Sequence, residues 1–308
     1  MIRQILNRLG QGLLVLFVLF TLTFFLVRSL PTGPFKTERA IPEHIQAKME
    51  AYYGLDQPLL VQYQKRLVNL LSGDLGLSLR LEGREVSEII SQSFPVSLQL
   101  GLVAIVLAIT IGVPLGILAA WRKNSLTDYG AMALAMVGIC IPSFVIGPVL
   151  ADQFGRRMEI LPAMGWSPLS PAFWILPALT LGLISAAYLS RLTRAGMLET
   201  LNQDFVRTAR AKGVSEGRIL SHHCLRGGLI PAVAYIGPAF AAIISGSLVI
   251  ESIFAIPGLG THFIKSIETG DEPVITGVVL LYGSLIILAN IATDLLGVWL
   301  NPRLRSTR

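Results

Sequence analysis

Arg207-Thr-Ala-Arg-Ala-Lys-Gly-Val-Ser-Glu-Gly-Arg-Ile-Leu-Ser-His-His-Cys-Leu-Arg226 is the most basic segment of an otherwise apolar chain, and apolar runs flank it on both sides. Its order predicts a helix, an elbow and a second helix. Gly213 follows Arg210 and Lys212, where a helix C-terminus favours a left-handed residue and nearby cations. Ser215 and Glu216 then offer an N-cap and a first-turn acid for the next helix. Charge alone fits a second reading equally well, a cytoplasmic retention signal between two membrane spans.

The flanking composition decides the solvent. Of 308 residues, 53% are hydrophobic and only 14% charged, and the mean hydropathy is +0.64, which excludes a soluble domain with a polar surface. The net charge of +6 raises nucleic acid as a partner. The cations sit at the ends of apolar runs, however, and form no stripe with interleaved aromatics, so no nucleic acid is expected. Cys140 lies in an apolar run and Cys224 in the basic loop, which gives no disulfide framework. His222 and His223 point about 100° apart on a helix and have no Cys, Asp or Glu at ligand spacing, so no metal site is expected. No phosphate-cradling glycine loop, HExxH or GxSxG occurs. The chain is therefore expected to hold no cofactor and no catalytic residue, and any ATP must be bound by another chain.

Outward from the basic loop, the chain reads as an all-α polytopic membrane protein with six transmembrane helices. Ile2, Ile5, Leu6 and Leu9 share one helical face, predicting a short amphipathic helix that runs into a first span at Gly12–Val27. Arg28 closes that run and no Ala-x-Ala follows, so it is an uncleaved span and not a signal peptide. Residues 29–97 form a helical extramembrane subdomain with helices expected at 42–53, 59–71 and 84–92, the last ending before Pro95. Residues 98–300 form the core. Its spans are Ser97–Ala120, Gly130 to about Leu150, Phe173–Leu189, Leu229–Ile250 and Val274–Leu300; residues 190–228 are the loop, and 301–308 a tail. Trp121-Arg122-Lys123 anchors the end of the second span, Trp166 and Trp174 precede the fourth, and Arg191 and Arg194 end it. Asp152–Glu159 cuts the third span short. Lys and Arg in the short connections and termini number 14 on one side and 3 on the other, which places both termini and the basic loop in the cytoplasm.

Ala209 followed by Gly213 four residues on, ahead of a helix returning to the membrane, resembles the EAA loop of ABC importer permeases, and Arg207-Thr-Ala-Arg-Ala-Lys-Gly213 is the peptide-permease form of it. Pro31-Thr-Gly-Pro-Phe-Lys-Thr-Glu-Arg39 and Tyr53-Gly-Leu-Asp-Gln-Pro58 resemble segments of the oligopeptide permease B subunit, and Pro257-Gly-Leu-Gly260 is similar to a segment of peptide-type permeases. Arg207-Thr208 stands where many relatives have Glu-Ala, Leu225-Arg226 where they have Leu-Pro, and Asp152–Glu159 where the apolar run continues. The resemblance implies the ABC-importer type I permease architecture in a bacterial inner membrane. It implies that Arg207, Thr208, Ala209, Arg210, Ala211, Lys212, Gly213 and Val214 form a coupling loop seated in a groove of a cytoplasmic ATPase subunit. It also implies the partners: a second homologous permease subunit, two ATPase subunits and an extracytoplasmic peptide-binding protein facing residues 29–97. The substrate implied is an oligopeptide, with dipeptides, glutathione or nickel as alternatives.

Candidate path residues are few. Ser245 and Ser247 on the fifth span and Asn290 on the sixth could line a translocation path, although for small residues such as the serines close helix packing is the stronger reading. Asp294, four residues after Asn290, lies near the basic tail and reads as an arginine partner or a cap. An ion-coupled secondary transporter would need buried ionisable groups near the midplane, and only Asp294, off-centre, is available. A membrane enzyme would need a nucleophile with its base, and none can be named. Gly213 is expected to be the elbow, and Ala209 to tolerate only small replacements if its face enters a groove.

Overall fold

Apolar runs of this length have one way to satisfy their backbone in hydrocarbon, which is to close every N–H and C=O bond within the segment. The computed structural model describes residues 2–29, 54, 56–81 and 83–300; the 31–39 motif, the expected helix at 42–53 and the 301–308 tail lie outside them. The helices are α1 (Ile2–Ser29), α2 (Leu59–Leu71), α3 (Val86–Trp121), α4 (Leu126–Cys140), α5 (Ser143–Leu150), α6 (Ala172–Leu201), α7 (Asp204–Ala211), α8 (Ile230–Ile253), α9 (Leu259–Thr269) and α10 (Glu272–Leu300). Five, namely α1, α3, α6, α8 and α10, are each long and apolar enough to cross a membrane, and α4 with the α5 segment passes the same test as a bent pair, which makes six crossings if the pair is one broken span and five if it is a re-entrant loop.

Three expectations need correction. The short helix at 84–92 does not stop before Pro95: α3 starts at Val86 and runs 36 residues to Trp121. One lost backbone bond at Pro95 is outweighed by a buried stripe, Val86, Ile89, Ser93, Ser97 and Leu100, that keeps helical register across it. At about 54 Å, α3 exceeds the roughly 30 Å hydrocarbon core. The third span is not one helix. It bends by 103° between α4 and α5, because Pro142 has no N–H to donate and forces Ile141 into an extended conformation at ψ 120. Beyond α5 the chain does not break off at Asp152 but widens into a π-helical segment, Ala151–Arg157, with Arg157 paired to Asp152 at 2.8 Å. Arg191 and Arg194 do not end the fourth helix, which continues to Leu201.

The chain divides into two compact units, Met1–Ser97 with Pro257–Leu285, and Leu98–Ile256 with Ile286–Arg308. In the first, Phe20 and Phe24 of α1 pack against Tyr63 of α2 with ring centroids 5.4 and 5.3 Å apart. The connection from α2 to α3 is held by Asp271, which accepts from Ser78 Oγ at 2.5 Å and from Leu79 N at 3.1 Å. Ser97 Oγ accepts from the N–H of Leu259, the first residue of α9.

The second unit is organised around α6, the most buried of the long helices. There, α3 and α6 bring their backbones together. A Cβ on Gly112 would overlap the carbonyl of Ala186, one on Gly116 the carbonyl of Ser190, and one on Gly182 would lie 2.7 Å from the carbonyl of Ala104. Small residues at this spacing let membrane helices gain dispersion contacts that lipid does not otherwise supply. Gly116→Val should accordingly lower the thermal midpoint of the detergent-solubilised protein, at a cost on the order of 1–3 kcal/mol for overpacking. Gly101→Ala, whose Cβ would meet Ile244 at an ordinary 3.4 Å, should leave it unchanged; equal midpoints for the two variants would contradict this packing.

Candidate functional site

Eight residues make a helix too short to hold alone in water, so α7 has to be stabilised by what it packs on. Its sequence, Asp204-Phe-Val-Arg-Thr-Ala-Arg-Ala211, turns Val206 and Ala209 inward, 0% and 8% exposed. They join Ala120, Met197, Ile219, Leu220 and Cys224 in one cluster, edged by Ile117, Leu201 and Val214. Burying Val206 alone contributes about 1.5–3 kcal/mol. Arg207, Thr208, Arg210, Ala211, Lys212 and Gly213 all face outward. Phe205, outside the stretch singled out by sequence, keeps 48% of its surface exposed. Ala209 needs its small side chain for packing within its own chain, and it does not present that face outward.

The elbow has a defined geometry. Gly213 has φ +77, and no heavy atom lies within 4 Å of where its Cβ would be. The left-handed backbone, not space, selects glycine. Val214 N donates to the Ala209 carbonyl at 3.1 Å and Gly213 N to that of Arg210 at 2.9 Å, the paired bonds of a Schellman ending, completed by Val214 packing back on the cluster that holds Ala209. Across the elbow, Arg210 grips Glu216 through Nε–Oε1 at 2.7 Å and Nη2–Oε2 at 3.1 Å. That hydrogen bonding holds the Glu216 carboxyl below its usual range, against a smaller opposing effect of burial. Its contribution is present above the ordinary carboxylate pKa and is lost as pH falls through the depressed one. Both side chains are about half exposed, so solvent screening keeps the pair within about 1 kcal/mol.

The second arm is less regular than expected. Ser215 makes no side-chain cap; its carbonyl accepts from Arg218 N and Ile219 N, each at 3.0 Å. A single turn, Glu216–Arg218, opens into a π-helical stretch, Ile219–Cys224, before Leu225–Gly228 and the turn into α8. The wider coil lets Ile219, Leu220 and Cys224 all reach the cluster under α7. Burial pushes the Cys224 thiol up, which makes it a packing group and not a nucleophile. Among the described residues no group of three His, Cys, Asp or Glu could hold a metal ion.

Residues 112–306 match the family described as binding-protein-dependent transport system inner membrane component, and residues 1–101 match its membrane-component N-terminal family. The chain belongs to this transport family. Over 305 residues it is 42% identical to the oligopeptide transport system permease protein OppB of Haemophilus influenzae, covering 99% of this chain and 100% of that one. It is 40% identical to the dipeptide transport system permease protein DppB of Bacillus subtilis (99% and 98% covered) and to OppB of Escherichia coli K12 (99% and 100%). A solved chain of the MetNI methionine ABC transporter shares the fold at TM-score 0.58 and 17% identity, over 69% of this chain and 96% of that one. The permease is thus a multi-pass inner-membrane transport subunit of ABC type, and it is not itself an enzyme.

One contact that sequence reasoning missed fixes the base of this site. Arg194 of α6 binds Asp128 of α4 through Nε–Oδ1 at 2.5 Å and Nη2–Oδ2 at 2.7 Å. Asp128 is 1% exposed and also accepts from Asn124 N at 2.9 Å, while Ser125 Oγ caps its N–H at 3.3 Å. Ser125-x-x-Asp128 is a capping pattern that could have signalled the helix start, but nothing local pointed to a buried pair with the arginine 66 residues on. The path candidates do not come together. Ser245 is exposed on α8 in a stripe with Ala234, Pro238, Ala242, Val249 and Ser252, whereas Ser247 is buried and donates to the Ile244 carbonyl at 2.8 Å. Asn290 is exposed on α10, where it borders the close approach at Gly237.

The seat of α7 is directly testable. Ala209→Leu should overpack the cluster by about 1–3 kcal/mol and speed tryptic cleavage at Arg207, Arg210 and Lys212 in vesicles that expose the loop. Ala211→Leu, on the outward face, should leave cleavage at the wild-type rate. Equal rates for the two variants would contradict this assignment of faces.

Proposed function

We propose that the permease is the membrane-spanning subunit of a peptide importer and that α7 with its elbow, Arg207–Val214, is the surface through which ATPase subunits drive it. The observation that carries this reading is the seating of α7: apolar residues fix it to the end of α6, while Phe205 and the cations Arg207, Arg210 and Lys212 face outward. A buried aromatic anchor inside a rim of individually weak charges is how a transient protein interface is commonly built. The names of the 40–42% identical relatives, oligopeptide and dipeptide permeases, support a peptide as the cargo. The equal identity to permeases of both kinds keeps dipeptides as a second reading.

In this reading the permease pairs with a second homologous permease subunit, docks two ATPase subunits and receives peptide from an extracytoplasmic binding protein. Residues 29–97 face that protein, 98–300 form the core with the coupling loop at 190–228, and both termini are cytoplasmic. A peptide is zwitterionic and varies in side chain, so a path lined by small, weakly polar groups such as Ser245 and Asn290 suits passage. Selectivity is then left to the binding protein.

Two measurements test the reading. Single cysteines at Ser72 and Ser215, both exposed, placed in a background lacking Cys140 and Cys224, should be labelled from opposite sides of the membrane; labelling from the same side would overturn the topology. Gly213→Val puts a β-branched residue at positive φ, a strain on the order of 1–2 kcal/mol or more. It should leave insertion intact while lowering ATPase co-purification and labelled-peptide uptake together. Wild-type values of both would make Gly213 an ordinary loop glycine.

A further inference from the structure

A polar cavity of about 620 Å³ opens in the first unit, bounded by the end of α1, by α2, by the 74–79 connection and by the start of α10. Its wall carries three cations, Arg28, Lys65 and Arg66, against two carboxylates, Asp74 and Glu272. The two guanidiniums are built into place. Arg28 lies over the Phe24 ring with Cζ 3.8 Å from the centroid and donates from Nη2 to Gln62 Oε1 at 2.6 Å. Arg66 donates from Nη2 to the Leu75 carbonyl at 2.8 Å. Both converge on Glu272, whose side chain is 9% exposed, at 3.8 Å from Arg28 Nη1 and 3.6 Å from Arg66 Nε. Those are ion-pair distances, too long for hydrogen bonds. The short bond to Glu272 Oε1 comes from Thr276 at 2.9 Å. One carboxylate is therefore shared by two guanidiniums and saturates neither, and Arg28 Nη1 is buried with no hydrogen-bond partner among the described residues. Gln57, also in the wall, buries Oε1 without a donor among the described residues.

Such a wall has positive charge to spare for a carboxylate, and it has acceptors for N–H groups in Asp74, Glu272 and Gln57. A phosphate would be drawn by the cations and repelled by the two carboxylates; a zwitterion with amide groups satisfies both signs. The volume lies within the roughly 300–1,000 Å³ of small-ligand sites. We propose that this cavity is a peptide subsite on the permease itself, with the C-terminal carboxylate of a short peptide held by Lys65 in front of the fixed Arg28 and Arg66 pair. The proposal rests on the peptide-import reading and adds to it a station at the ends of α1 and α10. Lys65 is exposed, so binding is salt-sensitive and weak enough for release.

The experiment uses the assembled transporter in nanodiscs without its binding protein, and saturation-transfer NMR with trialanine, its C-terminal amide and inorganic phosphate. Trialanine should receive saturation, its amide should bind roughly tenfold more weakly for want of a charged hydrogen bond, and Lys65→Glu should abolish the difference between the two. Equal transfer to acid and amide, no effect of Lys65→Glu, or full displacement of trialanine by equimolar phosphate would each overturn the subsite. Uptake of labelled trialanine by wild-type cells separates the two layers of the argument. Normal uptake with amide-insensitive transfer overturns the subsite alone; amide-sensitive transfer without uptake supports the subsite and overturns peptide import.

Discussion

The close approach of α3 to α6 is the constraint on which the seat of α7 depends. Lipid tails are as apolar as leucine, so burial supplies little drive between helices in a membrane, and contact has to come from fit. Gly112, Gly116 and Gly182 provide it by letting backbone carbonyls of one helix reach the space a Cβ would fill on the other. Once α6 is fixed in this way, its last turns become a platform. Arg194 ties it to α4 through Asp128, Gly196 meets the carbonyl of Gly228, and Met197, fully buried, reaches under α7. Removing one member of the Arg194–Asp128 pair would strand a charge. The cost falls short of the ~3–5 kcal/mol typical of fully buried pairs, because the Arg194 side chain is 26% exposed.

Three kinds of interaction divide the work at the elbow. Backbone geometry sets direction, through the left-handed Gly213 and the Schellman bonds that end α7. Apolar packing holds position, through Val206, Ala209 and Val214. Charge presents a surface: Arg207 and Lys212 face solvent and Arg210 is turned onto Glu216, so the ion pair stiffens the bend while the rest of the rim stays open. A residue near the elbow can therefore be altered in one of these roles without disturbing the other two.

What could be read from sequence was mainly what is local. A glycine behind two cations marks a helix end whatever surrounds it, and an apolar run of about 20 residues marks a crossing, so the elbow and the first, second, fifth and sixth crossings were legible. Pro95 and Pro142 were not. Pro95, Pro148, Pro177 and Pro238 all sit inside continuous helices, while Pro142 breaks one; the same residue gives both outcomes because neighbouring helices decide whether the freed carbonyl is tolerated. Long-range pairs were also out of reach. Asp271 and Glu272 lie beside Gly270 in a charged connection, yet they are 2% and 7% exposed; Ser78 and the two arginines that meet them lie some 200 residues earlier in the chain, beyond any local signal. Asp128 was hidden in the same way until Arg194 came beside it.

If α7 is the drive surface proposed above, its seating constrains how force can pass through it. Surface ion pairs are worth a few tenths of a kcal/mol and are screened by salt, so the outward cations of α7 can select and orient a partner but cannot by themselves move a helix bundle. Packed interiors behave differently: at near-crystalline density they have low compressibility and transmit strain. In that reading a push on α7 is received by Val206 and Ala209, both buried, and is passed to Met197 in the same cluster and so to α6. Because Gly116 and Gly112 leave α6 in backbone contact with α3, and Arg194 holds α4, displacement of the short helix has to carry three long helices with it. A larger residue at 209 would prop α7 away from this platform, and a smaller one at 206 would leave slack in it; in both cases contact with a partner could persist while the motion was lost.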